Sequence, residues 1–205
     1  IKSISCNAWG LDYFLLDESG EVMEPTFCYR DSRNQRGIDR ALESLSWETI
    51  YEETGVQFVQ INSLFQMAAE STERIERMHT FLPLGDGFNY LLCGVAKAEI
   101  SLASTTQLYN PRTGNWAEKI LDAFNWDHGK FPDLIPSGTR LGTLKPELAG
   151  ESGLNEIEVI ATCSHDTGSA VGAVPAEGTD WAYLSSGTWS LIGVELPNPI
   201  ITDKS

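Results

Sequence analysis

The 205 residues carry 14 Lys and Arg against 29 Asp and Glu, for a formal charge of −15, with 41% hydrophobic residues and six Trp. That deficit of basic groups argues against a surface that neutralises nucleic-acid phosphates, and the longest apolar run, about seven residues around Tyr90 to Ala96, is far below the roughly 20 that span a bilayer. The apolar content is enough for a packed core, which excludes disorder, and the length suits one domain or one domain with part of another.

In chain order, the sequence opens at Ile1 with no Met and no charged and apolar leader, and reads as a piece of a longer protein. Ser3 to Cys6 is a short extended run, broken at Asn7-Ala8-Trp9-Gly10. Leu11, Tyr13 and Leu15 then alternate with Asp12, Phe14 and Leu16 as a strand requires. Asp17-Glu18-Ser19-Gly20 is a turn, and Glu21 to Met23 returns as a third strand, so the chain is expected to begin as a small meander. Ile38, Leu42 and Leu45 stand at helical spacing. Ser46 is the N-cap of a second helix through Ile50 and Tyr51 that Gly55 stops in the left-handed conformation. A third helix from Ser63 places Leu64, Met67 and Ala68 on one face, and Asn115-x-x-Glu118 announces another that buries Ile120, Leu121 and Phe124. From Asn125 through Pro132, Pro136, Gly138 and Gly142 the chain reads mostly as loop.

Ile157 to Cys163 is a nearly continuous β-branched run, the mark of a strand covered on both faces. It passes through Ser164-His165-Asp166 into the small residues Thr167 to Ala173, suited to a helix that packs backbone-close. Trp181 to Leu184 and Trp189 to Val194 form a hairpin around Ser185-Ser186-Gly187-Thr188. The four cysteines, Cys6, Cys28, Cys93 and Cys163, make no Cys-x-x-Cys pair, and with three His no zinc site is expected; thiols scattered in this way point to a reducing, cytoplasmic setting.

Four places are candidates for the chemistry. In open α/β folds ligands sit at the carboxyl ends of strands, and there Asp166, with His165 beside it, is placed to take a proton from a hydroxyl attacking a phosphoryl group. The same Asp is also suited to capping the helix that follows. The hairpin tip ending at Thr188 reads either as an ordinary turn or as an anion cradle of backbone N–H groups. Trp9-Gly10 reads either as core with a bulge or as an aromatic face and bare backbone that hold a sugar. Asp31 and Arg33 read as a ligand clamp or as a solvated pair.

Five stretches, in order along the whole chain, resemble the FGGY carbohydrate kinases: Trp9-Gly10 through Asp17, Tyr29-Arg30-Asp31-Ser32-Arg33, Ala103 through Leu108, Ser164-His165-Asp166-Thr167 with Ser169-Ala170-Val171, and Ala182 through Leu191. Within that family the pattern is nearest to the members that act on L-rhamnulose. The resemblance implies an α/β fold of two ribonuclease-H-like domains with an actin-like hinge. Residues 1–176 would be a partial sugar-binding N-terminal domain, and residues 177–205 the opening hairpin of a nucleotide-binding C-terminal domain. It implies ATP, Mg²⁺ and a ketose whose 1-hydroxyl attacks the γ-phosphate. Asp166 would be the proton acceptor, Gly10 and His165 sugar contacts and Thr188 a nucleotide contact, with no residue assigned to a metal. Nucleic acid and membrane are not expected partners. Where the family reads Asp-Thr-Trp-Gly this chain has Asn7-Ala8-Trp9-Gly10, and its Pro-Asp pair appears as Pro83-Leu84-Gly85-Asp86. The family's glycine-rich phosphate loop would precede Ile1 and most of the second domain would follow Ser205, so these residues alone are expected to be inactive. The alternatives are a non-catalytic sugar-binding or regulatory protein of the same fold, or a kinase of the family for another sugar.

Overall fold

The structure, a computed structural model, describes residues 1–202; the last three residues of the expected second-domain segment, 203–205, lie outside the described residues. In chain order the elements are β1 (Ser3–Ile4), β2 (Tyr13–Leu16), α1 (Asn34–Ser44), α2 (Trp47–Thr54), α3 (Ser63–Ala68), α4 (Thr72–Arg77), β3 (Thr80–Pro83), α5 (Leu84–Cys93), β4 (Ala98–Glu99) and α6 (Ile100–Ala103). There follow β5 (Tyr109–Asn110), β6 (Asn115–Trp116), α7 (Glu118–Ala123), a 3-10 turn at His128–Lys130, β7 (Leu134–Ile135), β8 (Thr139–Thr143), α8 (Pro146–Ser152), β9 (Glu158–Ala161), α9 (Asp166–Gly172), β10 (Tyr183–Ser186) and β11 (Ser190–Gly193).

The strand that positions the site is β9. It pairs in parallel with β1, Ser3 opposite Glu158 and Ile4 opposite Val159, and antiparallel with β8, from Thr139 opposite Ala161 to Thr143 opposite Glu158. The parallel pairing resumes further on as a single bridge between Ala8 and His165. Val159 and Ala161 are buried, whereas Glu158 and Ile160, which alternate with them, are only half-buried, so one face of the strand is sealed and the other is partly covered.

The expected opening meander is not formed. β2 pairs with β3 instead, Tyr13 opposite Pro83 and Leu16 opposite Thr80, while β1 goes to β9; of the expected meander only the return of Glu21 to Met23 along β2 is kept, through the bridge between Leu16 and Val22 and the bonds from the Asp17 N–H to the Glu21 carbonyl at 3.0 Å and from the Met23 N–H to the Leu15 carbonyl at 2.8 Å. The β2–β3 pair feeds the main core, where Phe81 lies 5.0 Å from Tyr13, 5.9 Å from Trp116 and 5.4 Å from Phe131 between ring centroids. Leu15, Leu64, Phe65, Met67 and Ile120 are buried in the same cluster. Aromatic rings tilted against one another at these separations add to plain area burial.

Around that core the helices follow the sequence closely. Ser46 Oγ accepts the Thr49 N–H, and Gly55, at φ 65° and ψ 11°, donates its N–H to the Tyr51 carbonyl, as a left-handed helix stop should. Along α1, Ile38 and Ala41 are buried but Leu42 is exposed, because the helix turns that position outward. Asn115 is not a cap: it lies in β6, paired with Asn110, and α7 begins only at Glu118 without a side-chain cap. The stretch read as loop contains β8, whose Gly142 and irregular register hid it. The hairpin is shifted by two residues, with Ser185 and Ser186 in the ladder, Ser186 opposite Ser190, and a turn of Gly187, Thr188 and Trp189. Close packing of α9 holds at one place, since a Cβ on Gly168 would meet Cys163 Sγ at 2.8 Å, although α9 buries no residue fully.

Candidate active site

β9 ends at Ala161, and the chain turns through Thr162, Cys163 and Ser164 into α9. The bridge to Ala8 fixes that turn: the Ala8 N–H donates to the Ser164 carbonyl at 2.8 Å and the Asp166 N–H to the Ala8 carbonyl at 2.9 Å. Parallel pairing thereby brings Asn7-Ala8-Trp9-Gly10 beside Ser164-His165-Asp166, two segments distant in sequence. Of the four candidate residues, His165 and Asp166 are joined directly to this segment through Ala8, and Gly10 follows two residues after Ala8.

Asp166 is the first residue of α9, and the cap position falls on His165, whose side chain makes no cap bond. The Asp166 carboxylate accepts only the N–H, at 2.6 Å, and the hydroxyl, at 3.3 Å, of its neighbour Thr167 through Oδ1. Its side chain is 54% exposed, and its other oxygen has no hydrogen-bond partner among the described residues. The capping alternative therefore reduces to a bond with the adjoining residue. His165 Nε2 lies 3.6 Å from Asp166 Oδ1. Burial pushes the imidazole below its ordinary value, against the opposing pull of the Asp166 and Glu99 carboxylates, which favours the neutral ring.

Gly10 is required by packing: a Cβ there would stand 2.8 Å from Thr105 Oγ1 and 3.0 Å from Thr105 Cβ, and Thr105 is itself tied to the Leu102 carbonyl at 2.8 Å. Trp9 is not core, being 52% exposed, and its indole N–H donates to Asp12 Oδ2 at 2.9 Å. The following Leu11 has φ 84°, and its carbonyl is held by Ser63 Oγ at 2.6 Å and Gln66 Nε2 at 3.0 Å. Asp12 is buried, which raises its carboxyl above the ordinary value against the lowering effect of Trp9, Tyr29 and Arg33.

Thr188 is exposed at the hairpin turn, and no hydrogen bond or ion pair among the described residues ties it to the other three. At the turn the Gly187 N–H closes onto the Trp189 carbonyl at 2.9 Å, and the two serines belong to the ladder. Asp31 and Arg33 are not a clamp. Asp31 Oδ1 accepts the Arg33 N–H at 2.8 Å, while the Arg33 guanidinium lies over Phe27 at 3.8 Å and pairs with Glu70 at 3.0 Å.

Two acids lie beneath the site: Asp86, which the sequence offered only as the acid of the family's Pro-Asp pair, and Glu99, which sequence reasoning missed. Asp86, in the first turn of α5, accepts the Glu99 N–H at 3.0 Å and the Ser164 hydroxyl at 3.2 Å. Burial pushes its carboxyl up to about 7, the hydrogen bonds opposing and the Glu99 carboxylate adding to the rise. Glu99, 1% exposed, accepts the Ser164 N–H at 3.0 Å. The one signal in the sequence was a lone acid in an apolar setting, Ala98-Glu99-Ile100. Among the described residues no group of three or more His, Cys, Asp or Glu is placed to hold a metal ion, and no helix is long and apolar enough to cross a membrane. Two surface depressions, one lined by Asp17, His79 and Lys130 and the other by Trp47, Tyr51 and Arg112, do not include Asp166.

The family model described as "FGGY family of carbohydrate kinases, N-terminal domain" matches residues 1–172. A rhamnulokinase of Bacillus subtilis is 40% identical over 201 residues, covering 98% of this chain and 41% of the relative. One of Enterococcus faecalis is 39% identical over 192 residues, covering 94% and 39%. The chain thus spans about two fifths of the length of these curated relatives. Among solved structures, a ligand-bound xylulose kinase from Lactobacillus acidophilus superposes with a TM-score of 0.87 at 19% identity, over 100% of this chain and 42% of that one.

Proposed function

Because this chain belongs to the FGGY family of carbohydrate kinases, we propose that it supplies the sugar site and proton acceptor of an ATP-dependent ketose kinase, with L-rhamnulose as acceptor and L-rhamnulose 1-phosphate as product. The observation that carries the reading is the bridge between Ala8 and His165, which sets an exposed carboxylate and a neutral imidazole beside an exposed Trp. Residues 1–176 form the sugar-binding domain in this reading, in keeping with a family match that ends at 172. Residues 177–205 begin the nucleotide-binding domain, where Thr188 contacts ATP. The substrate is the L-rhamnulose that the names of the relatives carry. The whole protein works in the cytoplasm.

Phosphoryl transfer asks little covalent help of a protein; alignment and charge stabilisation dominate. As the sugar 1-hydroxyl attacks the γ-phosphate its proton passes to Asp166, and the bond to ADP breaks. Mg²⁺, when bound with the nucleotide, neutralises charge on the phosphate oxygens; it is expected to be held mainly by phosphates and water. Asp166 has one carboxylate oxygen free for the proton. His165, neutral, contacts a sugar hydroxyl, and Trp9 with Gly10 forms the wall beside it.

A second reading, a sugar-binding protein that does not turn over, is favoured by Asn7 and Ala8, which leave no carboxylate or hydroxyl before Trp9. The test takes the full-length protein, Mg-ATP and a panel of ketoses, and follows ADP release for the wild type and Asp166→Asn. A general base is worth about 10²–10⁴ in rate, and a loss of that order on L-rhamnulose is expected. Activity surviving in Asp166→Asn would remove the proton-acceptor role. Sugar binding without turnover would favour the second reading, and turnover of a different ketose would move the specificity within the family.

A further inference from the structure

Every backbone polar group from the Ser164 N–H to the Asp166 N–H is engaged. On one side Ala8 takes the Ser164 carbonyl and the Asp166 N–H. The His165 carbonyl receives the Ser169 N–H at 2.8 Å, inside the first turn of α9. The remaining two, the N–H groups of Ser164 and His165, point the other way, toward Glu99 and Ser101. Ser164 donates to Glu99 Oε2 at 3.0 Å, and His165 donates to the hydroxyl oxygen of Ser101 at 3.2 Å. Ser101 in turn donates both its N–H, at 3.0 Å, and its hydroxyl to the same Glu99 oxygen. The other Glu99 oxygen is filled by the Ser137 hydroxyl at 2.6 Å, and the Glu99 N–H is held by Asp86. Only an acceptor with two oxygens and several lone pairs can take four donors at once, and no neutral side chain of that length does so.

We propose that Glu99 and Ser101 are positioning residues for phosphoryl transfer: together they fix the backbone of Ser164 and His165 from below and so aim the Asp166 carboxylate at the acceptor hydroxyl. The inference rests on the kinase reading above and deepens it. Neither residue touches substrate; each acts through the turn. Misplacing a reacting group by about 1 Å costs on the order of 10²-fold in rate, whereas a role confined to stability leaves the rate of the folded enzyme unchanged.

The experiment uses the full-length protein with Ser101→Ala, Ser101→Thr and Glu99→Gln. It measures kcat and KM for L-rhamnulose and Mg-ATP, and hydrogen exchange at the His165 amide without substrate. The expected result is a kcat about 10- to 100-fold lower in Ser101→Ala, with KM for ATP unchanged and faster exchange at His165. Ser101→Thr, which keeps the hydroxyl, is expected to recover kcat to within about threefold, and Glu99→Gln to lose at least as much as Ser101→Ala. If Glu99→Gln does not fold, the serine pair carries the test. A folded Ser101→Ala enzyme with wild-type kcat overturns the inference, as does equal impairment of Ser101→Ala and Ser101→Thr. A wild-type protein that turns over no ketose defeats the functional reading instead, and the amide then judges the positioning by itself: unchanged exchange at His165 in Ser101→Ala overturns it.

Discussion

Replacing Asp86 by Asn removes a carboxyl that the fold holds in its protonated form. Burial carries that group from an ordinary 3.8 to about 7, so over this interval the folded chain keeps a proton that the unfolded chain has released. The sign follows from linkage: the favourable contribution is complete below pH 4 and is lost as pH rises through 7. Between pH 5 and pH 8 the loss amounts to roughly two pKa units of differential binding, about 2–3 kcal/mol. Asn does not titrate, and it suits the site. Its oxygen can take the Glu99 N–H and its amide can donate to Ser164 Oγ, whose hydroxyl then turns to the Thr162 carbonyl 3.3 Å away. Urea unfolding of wild type and Asp86→Asn at pH 5 and at pH 8 isolates the effect, because every other carboxylate is common to both proteins. Stability of the variant relative to wild type should rise by about 2–3 kcal/mol between the two pH values. A difference that stays constant across that range refutes the reasoning.

Glu70→Ala should cost about 3–5 kcal/mol in urea unfolding, because it leaves Arg33 and Arg74, both mostly buried, without their shared partner; a loss under about 1 kcal/mol would show that the pair is better solvated than its geometry indicates. Phe81→Ala, emptying the centre of the aromatic cluster, should cost about 3–5 kcal/mol by the same measurement. Gly10→Ala should lose about 1–3 kcal/mol against Thr105, and the double variant with Thr105→Ala should recover part of it; strict additivity of the two changes would mean that the side chains do not collide.

Local chemistry was legible and distant pairing was not. The cap at Ser46, the stop at Gly55 and the strand leading to Asp166 are written in adjacent residues, and all three stand in the structure. The opening meander failed because neighbouring strands pair more often than not, while here β1 crosses to β9 and β2 to β3. Nothing in Ser3-Ile4 names Glu158-Val159 as its partner. β8 was missed because Gly138 and Gly142 resemble loop punctuation, and Asn115 misled because a capping residue and a short-strand residue look alike without a partner strand. At the site, Asp166 was visible from its place after a strand, and His165 with it. Asp86 was visible only through the family's Pro-Asp pattern and Glu99 not at all, since a single acid shows its importance only when its donors arrive, for Glu99 from Ser101, Ser137 and Ser164.

The pairing of Ala8 with His165 also has a temporal side. The two segments lie about 150 residues apart, so during synthesis the first emerges long before the second exists, and closing so wide a loop carries an entropic cost that grows slowly with its length. The main core, built from residues between Tyr13 and Phe131, can condense meanwhile. Ser3 to Gly10 must wait as an unpaired strand edge, the kind of surface that invites wrong partners. The turn that carries Asp166 can therefore close only after β9 has arrived, and the ribosome, by pacing that arrival, sets when it can occur.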